Sequence, residues 1–458
     1  MKRMRRLLIF IPLIVGGCAY TADDQQPNVP VQSKWTVQNQ HMTQTNHPNL
    51  PYVAWWQGFH DETLNHLMTV GLAHNNSLNI SRGHIEAAEG ELKKIQLQWV
   101  PDVTALVGYN NTPAVGSPGA LILLSVDYMM NLFTQIKQQK KAEYELAEVK
   151  AEDDAVKLSV ISQIAAGYFT YLAEVEHAHL LQVLAQDISA LADIADRVYQ
   201  GGLSSDIPVE DLRSAVHQIQ GEQERVAHNI VVSRNALRFL LNENPGEIHS
   251  TKTFNALNNH QIVLGAWPMT VLENRPDMQQ AKNQLRAANE GIGLAASVWL
   301  PSIGINEYGG ATGGNSSWHF PTPFMQNAVN FNDEVLSIPL FRMSTLGEIA
   351  KARGLNKMAY YHYIETLQKA LRDTTNALSA NLRLTNRLMQ TERSEQRLDK
   401  AYQLHSKLYR RGIMSYMSTL NSKIALDRAN IQINQDKLQQ LLTFVNVYQE
   451  LAGGYKAG

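Results

Sequence analysis

A single cysteine, Cys18, serves all 458 residues. That excludes an intrachain disulfide and any cysteine-based metal cluster. Neither sign of charge is in excess. Lys and Arg number 40 against 42 Asp and Glu, a net charge of −2, which argues against recognition of nucleic acid through bulk charge. After the first eighteen residues no apolar run is long enough for a membrane-spanning helix. A chain with this pattern can cross a bilayer only as a closed barrel. Catalytic constellations are missing too. There is no His-Glu-x-x-His motif, and His177 and His179 stand two apart, so on a helix they point different ways and cannot share a metal. Gly309–Gly314 looks like a phosphate loop but lacks the Gly-Lys-Ser/Thr ending, and reads more simply as a turn. No enzyme activity, cofactor or metal is expected.

Proline and glycine are absent where it matters most. No Pro occurs between Pro118 and Pro208, or after Pro339. Within the first stretch only Gly119 and Gly167 precede Gly201, and in the second none falls between Gly354 and Gly412. These residues are the strongest helix punctuators, so the pattern predicts two helices, from roughly Met129 to Gln200 and from Met343 to Arg411. At 1.5 Å per residue each reaches about 100 Å, a coiled-coil length. Both end alike, Tyr199-Gln200-Gly201-Gly202 matching Tyr409-Arg410-Arg411-Gly412. Glycine just past a helix end is the usual stop. Apolar seams resume at once, through Val209, Leu212, Val216, Ile219 and Val226 in one case and Leu420, Ile424, Ile431 and Leu438 in the other. Each pair is an antiparallel hairpin with Gly202 or Gly412 at its tip.

What the chain does contain, it contains twice. Ile85, Ala87, Ala88, Leu92, Trp99, Pro101 and Val103 recur without a gap as Leu285, Ala287, Ala288, Ile292, Trp299, Pro301 and Ile303. A repeat of this size makes each half a pseudo-copy of the other. After each Pro the periodicity turns to two. Val103, Ala105, Val107 and Tyr109 alternate with Thr104, Leu106, Gly108 and Asn110, and Ile122, Leu124, Val126 and Tyr128 with Leu121, Leu123, Ser125 and Asp127, an imperfect alternation. The second half offers Ile303 and Ile305, a Gly- and aromatic-rich loop from Gly309 to Asn330, and a strand from Val335 to Leu340. Strands of about ten residues suit a tilted barrel wall. Four strands cannot close a barrel alone, so several chains must share one, and three would give twelve strands.

The amino terminus reads as a secretory leader, with Lys2, Arg3, Arg5 and Arg6 followed by an apolar stretch from Leu7 to Val15. Val15-Gly16-Gly17-Cys18 resembles a bacterial lipobox, which implies acylation of Cys18. The alternative is an ordinary signal peptide with an incidental cysteine. Tyr20, rather than Asp, at the second position after Cys18 favours the outer membrane. The expected divisions are the signal peptide 1–17, a lipid-anchored tether 18–54, a first repeat 55–242, an equatorial linker 243–274, a second repeat 275–445 and a tail 446–458.

Several pieces together resemble one family. They are Trp56 to Leu67, Arg275-Pro276-Asp277, Trp299-Leu300-Pro301, a strand ending Ile338-Pro339-Leu340-Phe341, the tip Tyr409 to Ile413, and Leu451-Ala452-Gly453-Gly454-Tyr455. In this order they resemble the TolC-like outer-membrane efflux proteins, in particular their NodT-type lipoprotein branch. The resemblance implies a mainly α fold with a β-barrel contribution, a homotrimer with a twelve-stranded barrel and an α-helical periplasmic tunnel. It implies an outer-membrane, lipid-anchored export duct for drugs or other small molecules. Its partners would be a periplasmic adaptor and an inner-membrane transporter of RND, MFS or ABC type. A type I protein secretion duct and a structural periplasm-spanning coiled-coil lipoprotein are the alternatives. Adaptor docking falls on Tyr199, Gly201, Gly202, Tyr409, Arg410, Arg411 and Gly412, the plainer role for the tyrosines being to pack the last helical turn. Acids that narrow the entrance in such proteins are missing after Gly412, where Ser415 to Asn421 carries none. Asp206, Glu210 and Asp211 would form an acidic ring instead, or simply complement a helix dipole. Trp318, Phe320 and Phe324 suit a membrane interface or a pore cap.

Overall fold

The computed structural model describes residues 49–110, 119–257, 269–312 and 327–457. Cys18, the leader, most of the tether, and Trp318, Phe320 and Phe324 lie outside them. The elements run α1 (Glu62–His74), α2 (Asn76–Leu97), β1 (Asp102–Asn110), β2 (Gly119–Met130), α3 (Leu132–Gln200), α4 (Ile207–Leu240), α5 (Pro276–Ser297), β3 (Ser302–Thr312), β4 (Asn327–Ser337), α6 (Ser344–Arg410) and α7 (Tyr416–Glu450). The repeat is explicit, since α2 and α5 are both 22 residues long and each leads directly into a strand. Two compact units form, one from residues 83–151 and 279–366, the other from the described residues before 83 with 152–278 and 367–457. Each unit draws on both repeats.

The first unit holds an antiparallel sheet in the order β1-β2-β3-β4. Val103 pairs with Val126, Ala105 with Leu124 and Val107 with Ile122, so the register puts both apolar alternations on one face. Leu123 and Ser125, on the other face, are buried. Three strand boundaries differ from the sequence reading. Met129 and Met130 extend β2 opposite Gly304 and Ile303, so α3 begins only at Leu132. Gly309 to Thr312, read as a turn, continue β3 with partners on both sides, because glycine supplies the same ladder groups as any residue. β4 runs from Asn327 to Ser337 rather than from Val335 to Leu340. Pro339 has no N–H to donate, and the ladder stops before it. At the other end of the sheet Asn131 caps α3, its Oδ1 accepting from the N–H groups of Phe133 and Thr134 at 3.1 Å. Its Nδ2 donates to the carbonyls of Ser297 (3.0 Å) and Leu300 (2.9 Å), and Lys137 pairs with Glu290 at 2.8 Å, joining α3 to α5.

The second unit is organised around an aromatic core. Trp55, Trp56, Phe59, Tyr168, Phe169, Phe254, Phe444 and Tyr448 are all buried in it. Trp55 stacks on Tyr448 with ring centroids 5.1 Å apart. Gly167 interrupts α3 without breaking it, because a Cβ there would lie 3.0 Å from Leu237 and keep α4 from approaching. A polar strut crosses this core. The Tyr168 hydroxyl donates to Asp61 Oδ2 at 2.8 Å, and Asp61 Oδ1 accepts from Leu64 N–H at 3.1 Å as the cap of α1. Burial pushes the Tyr168 hydroxyl well above its ordinary range, so it stays a donor. The segments around Leu50 and Gly454 meet here, with Gly454 N–H donating to Leu50 O (2.9 Å) and Lys456 N–H to Pro51 O (2.8 Å). Arg275 then ties the start of α5 to the end of α7, donating to Asp277 and to the carbonyl of Glu450 at 2.7 Å.

Candidate functional site at the hairpin tips

The tips are built by the residues that end α3 and α6. Gly202 and Gly412 have φ of +70° and +72°, the left-handed conformation that lets a helix stop without strain. Around Gly202, Leu203 N–H reaches Val198 O (3.1 Å) and Gly202 N–H reaches Tyr199 O (2.8 Å). Around Gly412, Ile413 N–H reaches Leu408 O (2.9 Å) and Gly412 N–H reaches Tyr409 O (2.8 Å). These are paired Schellman closures, identical in pattern. A Cβ at either glycine would meet nothing, so the turns stand open.

Their side chains face outward. Tyr199 and Tyr409 are each more than two-fifths exposed, and Leu203, Ile207 and Ile413 are more exposed still. Arg410 and Arg411 are exposed too, Arg410 Nε donating weakly to Ser406 O at 3.4 Å. Tyr409 leans on Tyr416, the first residue of α7, with centroids 5.2 Å apart. Tyr416 was not marked by the sequence, because its partner lies across a turn rather than along a helix. The Ser415 hydroxyl accepts from Ser418 N–H (3.2 Å) and starts α7.

The proposed acidic residues are exposed at the start of α4. Asp206 is the residue before the helix, but its side chain makes no capping bond. Glu210 accepts from Arg213 at 2.9 Å, and Arg213 also reaches Asp196 of α3 at 3.4 Å. Part of the negative charge is thus already countered.

Behind the tips α3, α4 and α7 pack through Leu184, Ile188, Leu191, Leu420 and Ile424, with Leu212, Val216 and Ile219 beside them. This seam carries a cluster that the sequence did not announce. Lys423 bonds Asp427 one turn away on α7 and lies 3.5 Å from Asp187 of α3. The available signal was local: Lys and Asp at i and i+4 on a helix face that also carries the apolar seam.

Comparison with known proteins gives the context. The family model described as "Outer membrane efflux protein" matches residues 69–243 and 267–453. The probable efflux pump outer membrane protein TtgC of Pseudomonas putida is 24% identical, covering 96% of this chain and 94% of its own. The cation efflux system protein CusC of Escherichia coli is 22% identical over 98% and 99%. Among solved structures, the open state of the Neisseria gonorrhoeae MtrE outer membrane channel superposes with a TM-score of 0.82 at 20% identity, covering 96% and 99%. With well over half of its length matched in two blocks that take in both hairpins, this chain belongs to the outer membrane efflux protein family.

Proposed function

We propose that this outer-membrane channel subunit is a passive export duct for drugs or other small molecules, with no catalytic activity of its own. Family membership makes it the outer component of a tripartite efflux system, a homotrimer working with an adaptor protein and an inner-membrane transporter. The observation that carries the duct reading is the four-stranded sheet, whose outer strands β1 and β4 each have one unpaired edge among the described residues. Such edges are untenable in lipid unless neighbouring copies pair with them. A purely structural coiled-coil lipoprotein has no use for this sheet. The finer assignments are part of the same proposal: Cys18 as the acylated anchor, residues 18–54 as its tether, the two Schellman turns as the adaptor's grip, and Asp206, Glu210 and Asp211 as an acidic entrance. Small-molecule cargo is favoured over secreted protein by the efflux relatives, several of which are named for toluene or antibiotic efflux.

The test uses the turns. Gly202→Val and Gly412→Val each force a β-branched residue into positive φ at a position where the added Cβ meets no neighbour. Both variants should still yield outer-membrane trimers while losing cross-linking to the adaptor and drug export. Full export by both would place the docking surface elsewhere.

A further inference from the structure

The seam behind the tips holds an unbalanced charge. Asp427 is only 3% exposed, on the helix that carries Leu420 and Ile424 into the seam with Leu184 and Ile188. Lys423 satisfies its Oδ1. Asp427 Oδ2 has no hydrogen-bond partner among the described residues, and Asp187 Oδ2 has none either, only the Lys423 ammonium at an ion-pair distance of 3.5 Å. Two carboxylates and one ammonium leave one negative charge in a largely apolar contact, together with two oxygens that make no hydrogen bond. Both defects are expensive when buried. One proton placed between the carboxylates cures both, supplying the missing donor and bringing the cluster to neutrality.

We propose that Asp187, Lys423 and Asp427 form a proton-operated latch between α3 of the first hairpin and α7 of the second. With the proton bound the two hairpins are tied along the seam. When it leaves, like charges face each other and the seam loosens. For its consequence, an export path that opens more readily as pH rises, this rests on the duct reading. The latch itself does not.

The surroundings support this assignment. Burial pushes the Asp427 carboxyl up to about 6, Lys423 draws it down, and the neighbouring Asp187 raises it. Asp427 and Asp187 in turn keep Lys423 charged against its own burial. α4 packs on the seam through Leu212, Ala215, Val216 and Ile219, and α6 meets α7 a turn earlier, where His405 Nδ1 lies 3.3 Å from Ser418 O. Arg428, next to Asp427 on α7, is exposed. A carboxyl raised in the packed state gives stability that grows as pH falls through about 6 and is lost as pH rises through that value. With an ordinary carboxyl in the opened seam, the opening constant should grow about tenfold between about pH 5 and about pH 7.5.

Hydrogen exchange on the full-length trimer in nanodiscs reads this directly. Opening constants, corrected for intrinsic exchange, are compared at the two pH values for residues 180–194 and 417–431, with residues 160–172 of the same α3 as reference. The wild type should show the tenfold rise in the two seam segments and none in the reference. Asp427→Asn should hold the seam closed at both pH values. Asp187→Asn, at a less buried position, should also flatten the response and serves if the first variant folds poorly. A wild-type seam equally protected at both pH values overturns the latch, as does a tenfold rise that survives both substitutions. Export assayed in parallel separates the two ideas. No export from cells carrying the complete pump, with the exchange pattern intact, counts against the duct and leaves the latch standing.

Discussion

Gly454 is where the C-terminal segment meets the segment around Leu50, and replacing it with alanine should be far more damaging than its size suggests. Its φ is +92°, and a Cβ there would sit 2.8 Å from Trp56, 3.2 Å from Trp55 and 3.2 Å from the carbonyl of Val53. The left-handed backbone alone costs an alanine about 1–2 kcal/mol. Forcing a methyl against two buried indoles, Trp56 packed on Trp55 and Trp55 in turn on Phe444 and Tyr448, adds about 1–3 kcal/mol. The expected loss is therefore about 2–5 kcal/mol. Two further glycines separate the causes. Gly202→Ala carries the backbone cost without a neighbour and should lose only about 1–2 kcal/mol. Gly221→Ala lies within α4 facing open space and should gain up to about 1 kcal/mol from helix propensity. Urea denaturation followed by far-UV circular dichroism ranks the three. If Gly454→Ala unfolds at the same urea concentration as Gly202→Ala, the steric part of the argument is wrong. If it matches the wild type, the junction of the Leu50 and Gly454 segments does not hold the core.

The remaining predictions concern other parts of the molecule. Val107→Arg, on the apolar face of β1, should cost about 2–4 kcal/mol and block trimer insertion, while Thr104→Arg on the opposite face should be tolerated; comparable heat-resistant trimer from both would refute the assignment of faces. Tyr168→Phe removes the donor to Asp61 Oδ2 and should destabilise by about 1–3 kcal/mol, measured as a urea midpoint, whereas Thr69→Val, which breaks only an exposed bond to Asn65 O, should change little. Cys18→Ser should abolish incorporation of labelled palmitate yet leave part of the trimer population; continued labelling would remove Cys18 as the anchor.

Much of this fold was legible because helices announce themselves through what they exclude. Without Pro from Pro118 to Pro208, α3 had nowhere to stop until Gly201 and Gly202, and the structure ends it at Gln200. The repeat likewise placed α5 and β3 once α2 and β1 were read. The strands of the second half were harder. Gly309 and Gly310 carry no side chain to alternate, so only the ladders to β2 and β4 reveal them as strand. Local pattern cannot see a partner strand. The same blindness hid Asp187 and Asp427, ordinary helical acids in sequence until the seam brings their oxygens together. At the tips the glycines were legible and the Tyr409–Tyr416 contact was not, because the turn geometry sets it.

The open edges of β1 and β4 have a genetic consequence. A subunit that cannot offer a sound strand to either neighbour does not merely fail by itself; it also leaves an edge unmatched in the two subunits it joins. If a defective copy still associates and is made in equal amount with a normal one, only about one trimer in eight would be free of it, by random threefold sampling. Lesions in β1 or β4 should then behave as dominant, while lesions that prevent association altogether should behave as recessive. The edges of one small sheet thus decide how a mutation in this protein is inherited.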